Sequence, residues 1–289
     1  MKKPLFTGAC TAFVTPFLNE QVNYPLAEQL LHRQIEAGIE TVVLAGTTGE
    51  SATLTDDEKI ELFRRCKEYV GNKCTIIAGT GSNSTVHSVE LSKAAEAVGV
   101  DALLVVSPYY NKATPDGLFA HYLSIAHAVK IPIIIYNVPS RTGIDIPVSV
   151  YKRLSSVPNI VGVKEASTEI TKIIRIRNEC DPSFSIWSGN DDLIVPVMAL
   201  GGQGVISVMS NICPVETNKL CRAALNGDFN TASAIQHQLH PLIELLFCEV
   251  NPVPVKAIMK EIGYDCGICR LPLTSISTQN LKRIQSFFQ

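Results

Sequence analysis

No apolar run in this 289-residue chain approaches the roughly 20 residues a helix needs to cross a bilayer. The opening Met1-Lys2-Lys3-Pro4-Leu5-Phe6-Thr7-Gly8 carries two lysines with no extended apolar stretch behind them, so a secretory signal is not expected. Charge is scarce and even-handed. Charged residues make up 18% of the chain, 27 acidic against 25 basic, and no block of one sign forms. A nucleic-acid surface or a polybasic membrane patch needs such a block, so neither partner is expected. A soluble cytoplasmic protein is the simplest reading. Nine cysteines are an odd number for a disulfide framework, and they read as small buried apolar residues or free thiols. The one close pair is Cys266 and Cys269. No second pair or neighbouring histidine completes a zinc site around it, and no thioredoxin-like context surrounds it. His237 and His240 stand on a helical stretch without further ligands nearby, so no metal is expected. Gly79-Thr80-Gly81 lacks the third glycine of a dinucleotide fingerprint. Gly201-Gly202-Gln203-Gly204 lacks the lysine of a phosphate loop and reads as a turn into a strand.

Apolar residues, by contrast, are plentiful at 46%, enough for a large core. The length suits one large α/β barrel with an appendage, or two ordinary domains. Short β-branched runs recur at 41–45, 75–78, 102–106, 132–136, 160–163, 184–187 and 204–207, and a first strand near 8–14 makes eight. Helical segments lie between them. Residues 26–37 place Leu26, Leu30, Leu31 and Ile35 on one face. Thr55-Asp56-Asp57-Glu58 has the form of a capping box, and Gly38 and Gly99 fall where helices should end. Near-continuous apolar strands alternating with helices predict a parallel sheet covered on both faces. Eight of them favour a closed (β/α)₈ TIM barrel, with a doubly wound open sheet as the alternative. After Gly227 no strand signal returns, while 231–247, 255–262 and part of 271–288 read as helix. The expected organisation is a barrel over residues 1–225 and a C-terminal helical extension over 226–289.

In such a barrel, chemistry belongs at the C-terminal strand ends. Lys164 closes the run Ile160-Val161-Gly162-Val163. A free lysine, with a pKa of about 10.4, is mostly ammonium and a poor nucleophile. Desolvation at a barrel mouth disfavours that charge and makes an amine nucleophile toward a ketone plausible. Taken alone, Lys164 also fits a lysine snorkelling from a strand end or paired with Glu165. Tyr136 ends the preceding strand, where its hydroxyl could relay protons or simply be a buried, satisfied phenol. Thr47 and Thr48 follow a glycine, and their hydroxyls and N–H groups suit a carboxylate, or an ordinary turn. Arg141, in a loop five residues past Tyr136, offers a fork for a second carboxylate, or is a surface arginine.

Several ordered motifs span essentially the whole chain: Gly46-Thr47-Thr48-Gly49-Glu50, Pro108-Tyr109-Tyr110-Asn111, Tyr136-Asn137-Val138-Pro139-Ser140-Arg141-Thr142-Gly143, Val163-Lys164-Glu165-Ala166, Ser188-Gly189-Asn190-Asp191, the 251–256 segment from Asn251 to Lys256, and Arg270-Leu271-Pro272. Together they resemble the dihydrodipicolinate synthase family of pyruvate-dependent class I aldolases, the group that includes N-acetylneuraminate lyase. The resemblance implies a barrel lyase without a cofactor, in which pyruvate forms a Schiff base with Lys164. It implies that Tyr136, Thr47 and Tyr110 relay protons, with Tyr110 coming from a neighbouring subunit. Thr48 would hold the pyruvate carboxylate and Arg141 that of L-aspartate 4-semialdehyde. Backbone groups at Gly189 and Ile206 would line the site. A homotetramer, a dimer of dimers, and a place in diaminopimelate and lysine biosynthesis are further implications.

Within the group, Thr47 and Arg141 favour the synthase, because sugar-acid lyases resemble Gly-Ser-Thr-Gly-Glu at the first motif and generally lack the Ser-Arg-Thr-Gly run. A related lyase, or a non-enzymatic barrel of the same descent, is the alternative; the full set Lys164, Tyr136, Thr47 and Tyr110 argues against the latter. Lysine-inhibited members have an allosteric pocket that Ser51, Ala52, Asn83 and Tyr109 resemble. Asp56, Lys59 and His87 depart from its histidines and glutamate. Lys59 sets like charge near an incoming lysine, so weak or absent lysine feedback is expected.

Overall fold

The structure, a computed structural model, describes residues 3–288. Its first strand, β1 (Gly8–Ala12), is followed by a small antiparallel hairpin of β2 (Phe17–Leu18) and β3 (Gln21–Val22). Seven more strands follow: β4 (Thr41–Leu44), β5 (Thr75–Gly79), β6 (Ala102–Val106), β7 (Ile133–Asn137), β8 (Ile160–Glu165), β9 (Ser185–Ser188) and β10 (Gly204–Ser207). These seven and β1 pair in parallel around a closed ring. β1 closes it, matching Gly8 to Gly204 on β10 and Thr11 to Val42 on β4. The expected barrel is therefore present and the open sheet is not.

Closure explains why the strands are apolar on both faces. One face of each strand points into the barrel, where Cys10, Ala12, Val43, Ile77, Leu104, Ile134, Tyr136, Trp187 and Ile206 pack together. The other face, with Val42, Ile76, Leu103, Ile135, Val163 and Ile186, joins the core beneath the helices. Phe6 and Trp187, stacked at 4.7 Å, join the lumen packing, and the indole N–H donates to the Phe6 carbonyl at 3.2 Å.

The helical layer runs α1 (Tyr24–Glu36), α2 (Asp56–Val70), α3 (Thr85–Ala97), α4 (Pro115–Ala128), α5 (Pro139–Thr142), α6 (Val148–Leu154), α7 (Ile170–Glu179), α8 (Ile194–Ala199) and α9 (Pro214–Leu225). Thr55 and Glu58 form the predicted reciprocal capping box of α2. Gly38 and Gly99 follow α1 and α3 at φ +80° and +84°, the left-handed step that ends a helix. Three helices complete the described chain: α10 (Phe229–Leu246), α11 (Val253–Glu261) and α12 (Thr278–Phe288). Buried residues of α10 and α11, among them Leu242, Leu246, Val255 and Ile258, belong to the same apolar core as the barrel's outer face.

Candidate active site

The loop after β4 turns sharply. Ala45 and Glu50, at φ +48° and +56°, bracket Gly46-Thr47-Thr48-Gly49 in left-handed conformation. The turn brings the Ala45 carbonyl onto β5, where a Cβ at Gly79 would lie 2.1 Å from it. Gly79 is thus a packing glycine, with no room for a side chain. The backbone N–H groups of Thr47 and Thr48 donate to no acceptor among the described residues. Glu50 is buried and faces Lys256 of α11 at 2.6 Å. It also accepts from the Arg270 backbone N–H at 2.9 Å. The Arg270 guanidinium grips Glu58 at 2.5 and 2.7 Å, which raises the arginine and holds the Glu58 carboxyl below its ordinary value. Asn251 Nδ2 donates to Thr48 Oγ1 at 3.0 Å. Lys256 and Arg270 both stack on Phe17. α11 and the C-terminal segments flanking it therefore brace the Thr47-Thr48 loop.

β7 and β8 deliver the next pair. Their register sets Tyr136 beside Lys164 and Asn137 beside Glu165. Because side chains alternate along a strand, Lys164 shares the lumen with Tyr136; its Nζ is 4.3 Å from the phenol ring centroid and the residue is 5% exposed. Lys164 lies within β8 rather than beyond it. The suggested Lys164–Glu165 pair does not form: Glu165 points the other way. Its carboxylate accepts from Asn137 Nδ2 at 2.7 Å, the Ser167 N–H at 2.9 Å and Tyr151 Oη at 3.1 Å, and faces Lys172 of α7 at 3.5 Å. Burial, then the Glu165 charge, pushes the Tyr151 phenol well up, so it stays a donor. Lys172 also binds Asp145, which accepts from Asn137 at 2.7 Å. Asp145, which is exposed, follows the Arg141 turn, so one cluster links the backs of β7 and β8 to that turn. Arg141, expected in a loop, sits on α5, a single turn that Pro139 opens and Gly143 closes at φ +71°.

At the remaining strand ends, Gly189 packs so closely on Ala166 that a Cβ would lie 2.6 Å from its methyl. Ile206 faces the lumen from β10. Asp191 is fully buried, and burial raises its carboxyl. Against that, it accepts from the Val208 and Met209 N–H groups at 3.0 and 2.9 Å.

A cavity of about 720 Å³ opens over these ends. Thr47, Tyr136 and Arg141 line it, together with Asn251. Lys164, Thr48, Gly189 and Ile206 do not line it; Lys164 and Thr48 are buried against residues that do. Tyr110 stands apart. It is 90% exposed, at φ +75°, and does not line the cavity. Ser51, Ala52, Asp56, Lys59, Asn83, His87 and Tyr109 all line the same cavity. There Asp56 binds His87 at 2.7 Å and Lys59 at 3.4 Å; burial opposes its ionisation, but these partners, His87 foremost, hold its carboxyl below the usual value.

Sequence reasoning did not assign Glu50, Lys256, Asn251, Arg270 or the Glu165–Lys172 cluster. Glu50, Asn251, Lys256 and Arg270 stood only within motifs, with no spacing that joins residues about 200 positions apart, and Lys172 stood in no motif. Cys266 and Cys269 are free and buried, and burial pushes both thiols up to about 12. No helix among the described residues is long and apolar enough to cross a membrane.

The chain resembles known proteins along nearly its whole length. A relative from Acetivibrio thermocellus, a 4-hydroxy-tetrahydrodipicolinate synthase, is 47% identical over 282 residues, covering 98% of this chain and 96% of that protein. The crystal structure of dihydrodipicolinate synthase from Aquifex aeolicus superposes with a TM-score of 0.96 at 42% identity, over 98% of this chain and 97% of that one. The Cyanidioschyzon merolae enzyme, solved with lysine bound, gives 0.95 at 40% identity over 98% and 97%. The model of the dihydrodipicolinate synthetase family matches residues 5–289, and this chain belongs to that family.

Proposed function

We propose that this protein is a lyase that condenses pyruvate with L-aspartate 4-semialdehyde to give 4-hydroxy-tetrahydrodipicolinate. The observation that carries the residue assignment is the buried Lys164 amine, 4.3 Å from the Tyr136 ring at the mouth of the barrel. The neutral amine attacks the pyruvate ketone and forms a carbinolamine. Tyr136, Thr47 and Tyr110 relay protons as water leaves and the Schiff base forms. Loss of a methyl proton gives an enamine, whose carbon attacks the aldehyde. The substrate's own amine then displaces Lys164 and closes the ring. No cofactor is required, because the iminium is itself the electron sink.

Thr48 and the free N–H groups beside it hold the pyruvate carboxylate, and Arg141, at the cavity wall, holds that of the aldehyde. Gly189 and Ile206 offer backbone groups at the floor. Tyr110 serves a neighbouring subunit in a homotetramer, which accounts for an exposed tyrosine kept in left-handed conformation at a cost of about 1 kcal/mol. Residues 226–289 form a C-terminal helical domain whose Asn251 and Lys256 brace the site. The enzyme works in the cytoplasm. Lysine inhibits it weakly or not at all, because Asp56 is already engaged by Lys59 and His87.

Borohydride reduction in the presence of pyruvate, followed by intact mass and peptide mapping, tests the chemistry. One pyruvate adduct on Lys164 is expected; no adduct, or one on another lysine, overturns the mechanism. Turnover of sialic acid without turnover of aspartate semialdehyde would overturn the substrate. Half-inhibition by sub-millimolar lysine would overturn the regulatory reading.

A further inference from the structure

Asn251 reaches the site from the segment between α10 and α11. It is 5% exposed and lines the cavity. Its Nδ2 donates to Thr48 Oγ1 at 3.0 Å, across 203 positions of sequence. The approach is held in place. Lys256, on the first turns of α11, pairs with Glu50 at 2.6 Å, and Glu50 lies just beyond Thr48. The two chain segments are thus fastened side by side, with the amide against the hydroxyl.

A threonine hydroxyl has one hydrogen to give and two lone pairs that accept, whereas an amide N–H only donates. Thr48 Oγ1 is therefore the acceptor toward Asn251, and its own hydrogen is left for another group. A carboxylate, which only accepts, is what such a hydrogen suits. We infer that Asn251 is a positioning residue for 2-oxo acid recognition: by donating to Thr48, it fixes the direction of the Thr48 O–H bond toward the pyruvate carboxylate. This rests on the reading of Thr48 as a carboxylate ligand. It adds that the polarity of that ligand is set from the C-terminal segment and not from the barrel.

Asn251→Asp reverses the polarity with almost no change of shape, because the new carboxylate accepts the Thr48 hydrogen. A negative charge near pyruvate could also act by repulsion, so the test is a cycle of wild type, T48V, N251D and T48V/N251D, assayed for KM of each substrate and for kcat. T48V and N251D should each raise the pyruvate KM by roughly 10- to 100-fold, the scale of one hydrogen bond to a charged group. The KM for the aldehyde and kcat of N251D at saturating pyruvate should stay within about threefold, a split that a merely loosened fold would not give. In the T48V background, N251D should add less than about threefold, because the hydroxyl it acts through is gone. Multiplicative effects, or a pyruvate KM for N251D at the wild-type value, would overturn the inference while leaving Thr48 in place. T48V with an unchanged pyruvate KM would remove the carboxylate reading and the inference with it. Should N251D fail to fold, Asn251→Ala enters the same cycle. It frees the hydroxyl to rotate, so a smaller rise that T48V again abolishes is expected, and a multiplicative or absent effect overturns the inference.

Discussion

Removing the Lys256 ammonium should unfasten the Thr47-Thr48 loop from α11. The side chains of Lys256 and Glu50 are 3% and 0% exposed and stand 2.6 Å apart. In Lys256→Met the volume is nearly kept, but a carboxylate is stranded in the interior. Breaking a buried pair from one side costs about 3–5 kcal/mol. Glu50 retains the Arg270 backbone N–H at 2.9 Å, so the lower end, about 3 kcal/mol, is expected. With a urea slope of about 3 kcal/mol/M for a chain of this size, the midpoint falls by roughly 1 M. Trp187 is the only tryptophan and is fully buried in the barrel, so its fluorescence follows the unfolding of the barrel itself. Protein concentration is held constant, since subunit association would shift the midpoint. The double variant Glu50→Gln with Lys256→Met removes the stranded charge and should recover at least half of the loss. A midpoint for Lys256→Met within about 0.2 M of wild type, or a double variant no more stable than Lys256→Met alone, would refute the reasoning.

His121 is buried, its imidazole pulled down from 6.5 to about 4 by that burial, with Nδ1 beside Thr85 Oγ1 at 2.9 Å. The unfolded chain binds a proton here below about pH 6.5 and the native one does not. Stability is therefore full above 6.5 and is lost as pH falls toward 4, by up to about 3 kcal/mol. Unfolding midpoints of wild type and His121→Gln at pH 7 and pH 5 should diverge in slope; parallel slopes would count against it. Arg141→Met should cut kcat/KM for the aldehyde by roughly 100-fold, the value of a lost ionic hydrogen-bonded pair, while borohydride still traps pyruvate on Lys164. Loss of the adduct would show that Arg141 acts earlier. The thiols of Cys266 and Cys269, pushed up to about 12, should resist Ellman's reagent at pH 8 until the protein is unfolded; rapid native labelling of both would contradict the burial argument.

The barrel was legible because closure leaves both faces of every strand buried, and that produces runs such as 102–106 and 132–136 with no alternation to obscure them. Helix ends were legible where a local device marks them, as at Thr55 and Gly38. Strand ends gather Lys164, Tyr136, Thr47 and Arg141 from the sequence alone, and all four lie at or beneath one cavity. What the sequence did not disclose is how these residues are held. The partner of Glu50 lies on α11 and that of Thr48 just before it, and no local spacing connects them. The direction of Glu165 depends on strand parity, which shifts with a single residue of register. The single turn of α5 is too short for a periodic pattern.

Strand parity has a consequence for how this site can change. At the mouth of β7 and β8, odd and even positions are separated: Tyr136 and Lys164 face the lumen, while Asn137 and Glu165 face the scaffold. Point substitutions on one side leave the other in place, so substrate range can drift while the frame stays rigid. A one-residue insertion or deletion upstream in β8 would do the opposite. It would exchange Lys164 with Glu165, turning an acid into the lumen and burying the amine beneath the helices. Such a site should tolerate divergence by substitution and almost none by change of length, which leaves length variation to the loops beyond the strands.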